Sequence, residues 1–270
     1  MKTILITGAS SGIGEATALY FANKGWKVAA TMRNPANAST VLQHDNIQCY
    51  ALDVTSEESV AKALALVATN FGSIDVLVNN AGFGVDGVFE AMDDATIRHQ
   101  FETNVFGLMR VTRAVIPYMR QQGGGNIIQI ASVGGQVTFP LYQIYHSTKW
   151  AVEGFSESLQ YELRQFNIKV RIIEPGAVKT AFYGRSRVEV KADTLSEYQA
   201  FVDKCNALSQ KSGQTGIDAA KVAATVYRAA TNTGWRMRYS IGYPAPWIIL
   251  TKRFLPEWLY LGFVRMTYGI

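Results

Sequence analysis

The run Ile4-Leu5-Ile6-Thr7-Gly8-Ala9-Ser10-Ser11-Gly12-Ile13-Gly14 constrains this chain more than any other stretch. A short β-branched strand leads into glycines spaced Gly-x-x-x-Gly-x-Gly, and a helical pattern starts directly behind them. Each glycine answers a separate need. Gly8 permits a tight turn, Gly12 lets the backbone approach a pyrophosphate, and Gly14 lets helix pack on strand. Amides at the helix N-terminus, helped by the helix dipole, then hold the phosphates. Gly8, Ser10, Ser11, Gly12, Ile13 and Gly14 are therefore candidate contacts for a dinucleotide. A plain strand-to-helix loop is the other reading of such glycines, and their place at the start of a strand–helix–strand unit argues against it.

Behind this start, short apolar runs alternate with longer amphipathic ones. Strands are expected at 4–7, 27–31, 47–51, 74–79, 126–130 and 170–174, and helices at 14–23, 56–71, 93–119 and 143–165. The strands are continuously apolar, as a sheet buried on both faces requires. The alternation implies an α/β fold, a doubly wound parallel sheet of the Rossmann type. With 48 % hydrophobic and 17 % charged residues, the 270 residues suit one such domain with a substantial core. From Ala181 the pattern breaks: residues 182–215 read as a substrate-covering insertion with a helix near 195–208. A helix near 218–231 and a strand near 237–241 return to the core, and residues 243–270 form an aromatic C-terminal extension.

Composition removes several function classes. The net charge of +5 comes without any Lys/Arg run, which argues against nucleic acid as a partner and suits a phosphorylated cofactor. Cys49 and Cys205 lie far apart with no CxxC pattern, and His44, His99 and His146 are scattered. Neither a disulfide framework nor a metal site is expected. The apolar N-terminal run is too short for a signal peptide, so a cytoplasmic protein is the default. His-Glu-x-x-His is absent, which removes one hydrolytic chemistry.

Tyr145 and Lys149 stand i, i+4 on a predicted helix, so they share a face one turn apart. Taking the proton of an alcohol as its hydride leaves needs a base. Free tyrosine has a pKa of about 10, and working near neutrality requires roughly 4 kcal/mol of help. One ammonium at about 4 Å supplies that amount if the effective dielectric is near 20. Ser132, just past the fifth strand, offers a hydroxyl to the substrate oxygen.

The pattern Thr-Gly-x-x-x-Gly-x-Gly, then Asn79-Asn80-Ala81-Gly82, then Tyr145-His146-Ser147-Thr148-Lys149, then Pro175-Gly176 resembles the short-chain dehydrogenase/reductase family over residues 3–180. The resemblance implies a nicotinamide-dependent oxidoreductase with Tyr145 as acid/base, Lys149 and Ser132 as its helpers, and Asn104 holding a water toward the lysine. An ordinary buried helix asparagine is the other reading of Asn104. The family often carries Ser-Ser where this chain has Ala131-Ser132, so Ser132 must act alone. Asp53 and Val54 are expected near the adenine and Asn80, Ala81 and Gly82 beside the adenosine ribose. Pro175, Gly176 and Val178 would border the nicotinamide, with Thr180 on its carboxamide. Asp53 also reads as a helix cap, with Thr55 and Ser56 competing.

A carboxylate closing the second strand would select NAD. Here Met32 closes it and Arg33 follows, and a guanidinium pairs well with a 2′-phosphate. NADP(H) is favoured over NAD(H), with Ser10 as an alternative phosphate reader and a solvated arginine as the bland one. Phe139, Leu141, Tyr142, Phe182, Tyr183, Tyr198 and Phe201 suggest a small apolar alcohol or ketone as substrate. The stretch Thr31-Met32-Arg33-Asn34-Pro35 and the long C-terminus are similar to the hydroxysteroid and retinol dehydrogenase branch. A non-catalytic NADP-binding sensor or scaffold is the competing class, disfavoured because all four catalytic positions are filled. No stretch reaches the length of a transmembrane helix. The tail is expected to cover the substrate cleft or join subunits of a homodimer or homotetramer, ahead of peripheral membrane contact.

Overall fold

The computed structural model describes residues 1–180, 187–191 and 194–270. Its first half runs β1 (Thr3–Ile6), α1 (Gly12–Asn23), β2 (Lys27–Met32), β3 (Ile47–Ala51), α2 (Glu57–Phe71), β4 (Val76–Asn79) and β5 (Gly84–Gly87). There follow α3 (Asp94–Phe101), a π-helical segment (Glu102–Gly107), α4 (Leu108–Gln121), β6 (Gly125–Ile130), α5 (Gln143–Leu163) and β7 (Ile168–Pro175). The rest comprises β8 (Val178–Lys179), β9 (Arg187–Val190), α6 (Gln199–Thr215), β10 (Ile217–Asp218), α7 (Ala219–Thr231), β11 (Arg238–Ile241), α8 (Ala245–Phe254) and α9 (Glu257–Tyr268).

Seven strands form one parallel sheet in the order β11-β7-β6-β4-β1-β2-β3. The expected doubly wound sheet is present. Side-chain alternation divides its core. Ile4 and Ile6 of β1 face a layer containing Phe21, Val222 and Val226 of α1 and α7. Leu5 faces the opposite layer, with Leu64, Val111, Val115 and Leu163 of α2, α4 and α5. Covered on both faces, the strands need apolar residues at every position, which is why they read as continuous runs.

Arg171, fully buried in β7, is a charged exception to this pattern. Its guanidinium donates to Asn126 Oδ1 and Tyr239 Oη, and to the carbonyls of Asn232, Gly234 and Arg236. It thus ties the turn before β11 to the sheet and satisfies its own donors.

The helix expected over 93–119 is interrupted by the π-helical segment. A Cβ on Gly107 would lie 2.7 Å from Val54 Cγ2, so the backbone passes hard against the loop after β3, and the wider turn accommodates this. The helix expected near 195–208 runs as α6 from Gln199 to Thr215. Two small sheets were not anticipated: β5 pairs with β9, and β8 with β10. The first is clamped by a buried ion pair between Arg187 and Asp86. Phe182 and Tyr183, expected in the pocket wall, lie outside the described residues.

Candidate active site

The chain runs from β1 to β2 and β3 on one side, then returns to β4 on the other. A crevice opens at the carboxyl ends of the strands where the order reverses, between β1 and β4. Thr7 builds its floor: its amide donates to the Val78 carbonyl at 3.0 Å, and its Oγ1 accepts the amides of Asn80 and Ala81, each at 3.0 Å. Asn80 Nδ2 donates to the carbonyls of Thr7 and Gly8, each at 2.9 Å. The Asn80 amide therefore clamps the glycine loop to β4.

The loop itself is a cradle that side chains would fill. Gly8 and Gly12 have φ of +65° and +61°, which L-residues rarely adopt. A Cβ on Gly8 would fall 2.8 Å from Ala81 Cα, and one on Gly14 would fall 2.5 Å from the Gly8 carbonyl oxygen. Ser11 caps α1 with extended backbone and no side-chain cap hydrogen bond, which leaves the first-turn amides available to an anion. Ser10 and Ile13 are half-buried along the same loop, and Thr180 stands over Gly12. Such a cradle fits a dinucleotide pyrophosphate.

Arg33 is exposed at the end of β2, beyond buried Met32. Asp53 turns its Oδ1 back to the amide and hydroxyl of Thr55, at 2.9 and 2.7 Å. Burial works against its ionised form, but those bonds and the fields of Arg33 and Arg110 win, and its carboxyl titrates below the ordinary range. Ser56, not Asp53, caps α2, accepting the Ser59 amide at 3.2 Å. Val54 is buried against Gly107. Past β7, the Gly176 amide donates to the Ile241 carbonyl, while Val178 pairs with Ile217.

Across the crevice, α5 carries Tyr145 and Lys149. Lys149 is buried, and its Nζ donates to the Ile130 carbonyl at 2.8 Å and sits 5.7 Å from the centre of the Tyr145 ring. Burial lowers its pKa to about 8, opposed by the Glu153 carboxylate one turn on. Ile130 ends β6, and Ser132 follows it into a tight turn, its Oγ accepting the Gly134 amide at 3.1 Å. Two glycines let that turn lie flat on α5. A Cβ on Gly134 would come within 2.5 Å of His146 Cδ2, and one on Gly135 within 2.9 Å of Glu153 Cγ.

Asn104, buried in the π-helical segment, accepts the Phe83 amide at 3.0 Å and donates to the Phe83 carbonyl and to Thr148 Oγ1. Thr148 Oγ1 in turn donates to the Tyr145 carbonyl at 2.7 Å. Asn104 thereby joins the strand following Gly82 to the helix that bears Tyr145. The catalytic and cofactor candidates follow the carboxyl ends of β1, β2, β3, β4, β6 and β7 or sit on α5 and the π-helical segment, with Asn80, Asp53 and Asn104 engaged in holding the loops.

Behind Lys149 lies a carboxylate pair that sequence reasoning missed. Glu174, next to last in β7, is bonded to Gln136 and Ser240, while Glu153 Oε2 accepts from Arg238 Nε at 3.0 Å. Burial and the neighbouring Glu174 push the Glu153 carboxyl up to about 8, against the pull of Arg238. The signal was present: Tyr145, Lys149 and Glu153 repeat at i, i+4, i+8, and Glu174 is an acid inside an apolar run. On the face of α5 away from Tyr145 and Lys149, a cleft of about 390 Å³ is lined by Thr138, Phe139, Gln143, His146, Ser147 and Trp150. Among the described residues, no group of His, Cys, Asp and Glu gathers to hold a metal.

The sequence model for "short chain dehydrogenase" matches residues 2–191. An uncharacterized oxidoreductase, YusZ, of Bacillus subtilis is 38 % identical, covering 94 % of each chain. A 3-ketodihydrosphingosine reductase of Bacteroides thetaiotaomicron is 32 % identical over 100 % of this chain and 98 % of its own. Bovine retinol dehydrogenase 8 is 36 % identical over 85 % and 78 %. Among solved structures, a short-chain dehydrogenase from Streptomyces avermitilis superposes with a TM-score of 0.83 at 34 % identity, covering 99 % of this chain and 94 % of that one. ElxO with NADP bound gives 0.72 at 27 % identity (89 % and 96 %). A 3-ketoacyl-(acyl-carrier-protein) reductase from Brucella melitensis complexed with NADH gives 0.74 at 26 % (90 % and 98 %).

Proposed function

The chain belongs to the short-chain dehydrogenase family, near its retinol dehydrogenase branch, and we propose from that premise that it is an NADP(H)-dependent oxidoreductase of apolar alcohols or ketones. The observation that carries the proposal is the pinned Lys149 ammonium beside the Tyr145 ring, at the strand end that also presents Ser132. When bound, the nicotinamide supplies the acceptor or donor of a hydride. Gly8, Ser10, Ser11, Gly12, Ile13 and Gly14 would hold its pyrophosphate, with Asp53, Val54 and 80–82 at the adenosine end and Pro175, Gly176, Val178 and Thr180 at the other. Arg33 would pair with the 2′-phosphate and so favour NADP(H) over NAD(H).

The protein's own part is the movement of a proton. In oxidation, Tyr145 Oη takes the hydroxyl proton of the substrate while the carbon gives up its hydride, and in reduction it returns a proton to the carbonyl oxygen. The Lys149 ammonium stabilises the Tyr145 phenolate, which accepts the proton in oxidation and is left behind in reduction, and burial of the ammonium strengthens that effect. Ser132 Oγ donates to the substrate oxygen where negative charge develops.

An apolar substrate is supported by the Tyr142 ring, packed 6.3 Å from the Tyr145 ring. The names of two relatives, a retinol dehydrogenase and a ketodihydrosphingosine reductase, point the same way. Leu141 and Phe201 pack with Val88 and Cys205. Tyr198 instead bonds Glu90 at the surface and leaves the proposed wall. One domain, residues 1–270, would carry both subsites, as a homodimer or homotetramer. A cytoplasmic location goes with this reading. Steady-state assays of the purified protein with NADPH and NADH against medium- and long-chain ketones test the reading. Turnover confined to polar substrates, or none with either cofactor, would refute it.

A further inference from the structure

The last two helices are turned inside out. In α8, Trp247, Leu250 and Phe254 repeat at i, i+3, i+7, which places them on one face, and Tyr243 stands just before the helix. In α9, Leu259, Phe263 and Met266 repeat at i, i+4, i+7, and Ile270 stands just beyond the helix. Helices of a folded protein bury such stripes, yet all eight of these side chains are between 42 % and 85 % exposed. The buried side of the pair is small: Ala245 in α8 and Tyr260 in α9.

We propose that α8 and α9 form a bilayer-docking surface that seats the protein on anionic lipid. Helices of 10 and 12 residues span only about 15 and 18 Å, too short to cross a hydrocarbon core. Among the described residues no helix of the chain is long and apolar enough to do so. These two suit the plane of the interface, where Trp247, Trp258 and Tyr243 have both apolar and polar surroundings.

Charge selects the occupant. Residues 243–270 carry Lys252, Arg253 and Arg265 against Glu257 alone, in a chain of net charge +5. Arg253 and Arg265 are exposed and, by helical periodicity, flank the stripes, where they can reach headgroups while the rings sink. A second copy using this face about a two-fold axis would meet the same basic rim, and like charges oppose that pairing. Position adds a reason. Lys252 Nζ donates to the Gln136 carbonyl at 2.7 Å, and Ala245 abuts Gly176. The surface thus adjoins the rim of the active-site crevice, and an apolar substrate dissolved in lipid would have a short path to it.

The test is flotation of the purified full-length protein with phosphatidylcholine vesicles and with vesicles also containing phosphatidylglycerol. Binding should be stronger to the anionic vesicles. Trp247→Ser/Phe254→Ser/Phe263→Ser/Met266→Ser should abolish binding to both while NADPH titration stays unchanged, which shows that the variant is folded. Arg253→Gln/Arg265→Gln should weaken binding to the anionic vesicles by on the order of 30-fold and leave the neutral ones unaffected. The proposal is overturned if the wild type floats with neither vesicle, or if the serine variant floats as well as the wild type. It is equally overturned if the wild type only self-associates in sedimentation velocity and the serine variant is a monomer.

Discussion

Tyr145→Phe removes one transferable proton and almost no volume, so it separates chemistry from binding. Turnover should fall by about 10²- to 10⁴-fold with the NADPH dissociation constant nearly unchanged, measured by kinetics and fluorescence titration. Arg33→Ala separates the two cofactors. A charged hydrogen bond contributes about 1.5–3 kcal/mol, so NADPH binding should weaken roughly 10- to 150-fold and NADH binding scarcely change. Equal losses for both would make Arg33 structural. Glu153 offers a stability signature. Its carboxyl titrates near 8 when folded, above the ordinary 4.5. Between those values the folded state binds more protons than the unfolded one, so the contribution to stability is full below about 4.5 and is lost as pH rises toward 8. His146, lowered to about 4 chiefly by burial, has the opposite slope from about 4 to 6.5. Comparing Glu153→Gln with wild type at each pH isolates the glutamate. The melting temperature of the variant relative to wild type should rise from pH 5 to pH 8. A constant difference would mean that Glu153 is not protonated in the folded protein.

At the scale of elements, the main sheet was legible because double-sided burial writes itself into every strand position. The glycine loop was legible because a positive φ at Gly8 and Gly12 and the close approach at Gly14 admit no other residue type. The sheet pairing β5 with β9 was not. Gly84-Val85-Asp86-Gly87 has no strand pattern, and its partner lies about a hundred residues on, so only tertiary contact defines it. The carboxylates behind Lys149 escaped for a similar reason: an acid is buried only where a distant arginine meets it, and Arg238 comes from β11. The π-helical segment depends on the approach of Val54, which helical periodicity does not encode. The β5–β9 clamp can be tested directly. Asp86 is buried, and desolvation raises its pKa even with Arg187 beside it. Arg187→Ala would leave that carboxylate unpaired and should destabilise the protein by about 3–5 kcal/mol, read from urea unfolding. Asp86→Asn/Arg187→Met should recover part of the loss. No recovery would show that the arginine acts through packing alone.

For the whole molecule, the question is how far the C-terminal extension belongs to the enzyme. All seven strands of the main sheet end by Ile241, so truncation after Gly242 removes none of them. The glycine loop is clamped by Thr7, Asn80 and Ala81, none of which touches the tail in a bond described above. NADPH should therefore bind the truncated protein within about threefold of its original affinity, a change of well under 1 kcal/mol. The substrate side is different. Gln136 follows directly on the turn that presents Ser132, and its carbonyl loses the Lys252 ammonium, while Gly176 loses the cover of Ala245. One lost charged hydrogen bond with its packing corresponds to about a tenfold effect, and it should fall on the KM for an apolar ketone. Since α8 and α9 also carry the exposed stripes, the same truncation should make the protein indifferent to vesicles. Unchanged KM would detach the tail from the crevice, and a change in NADPH affinity as large as that in KM would show that the extension supports the fold rather than the rim.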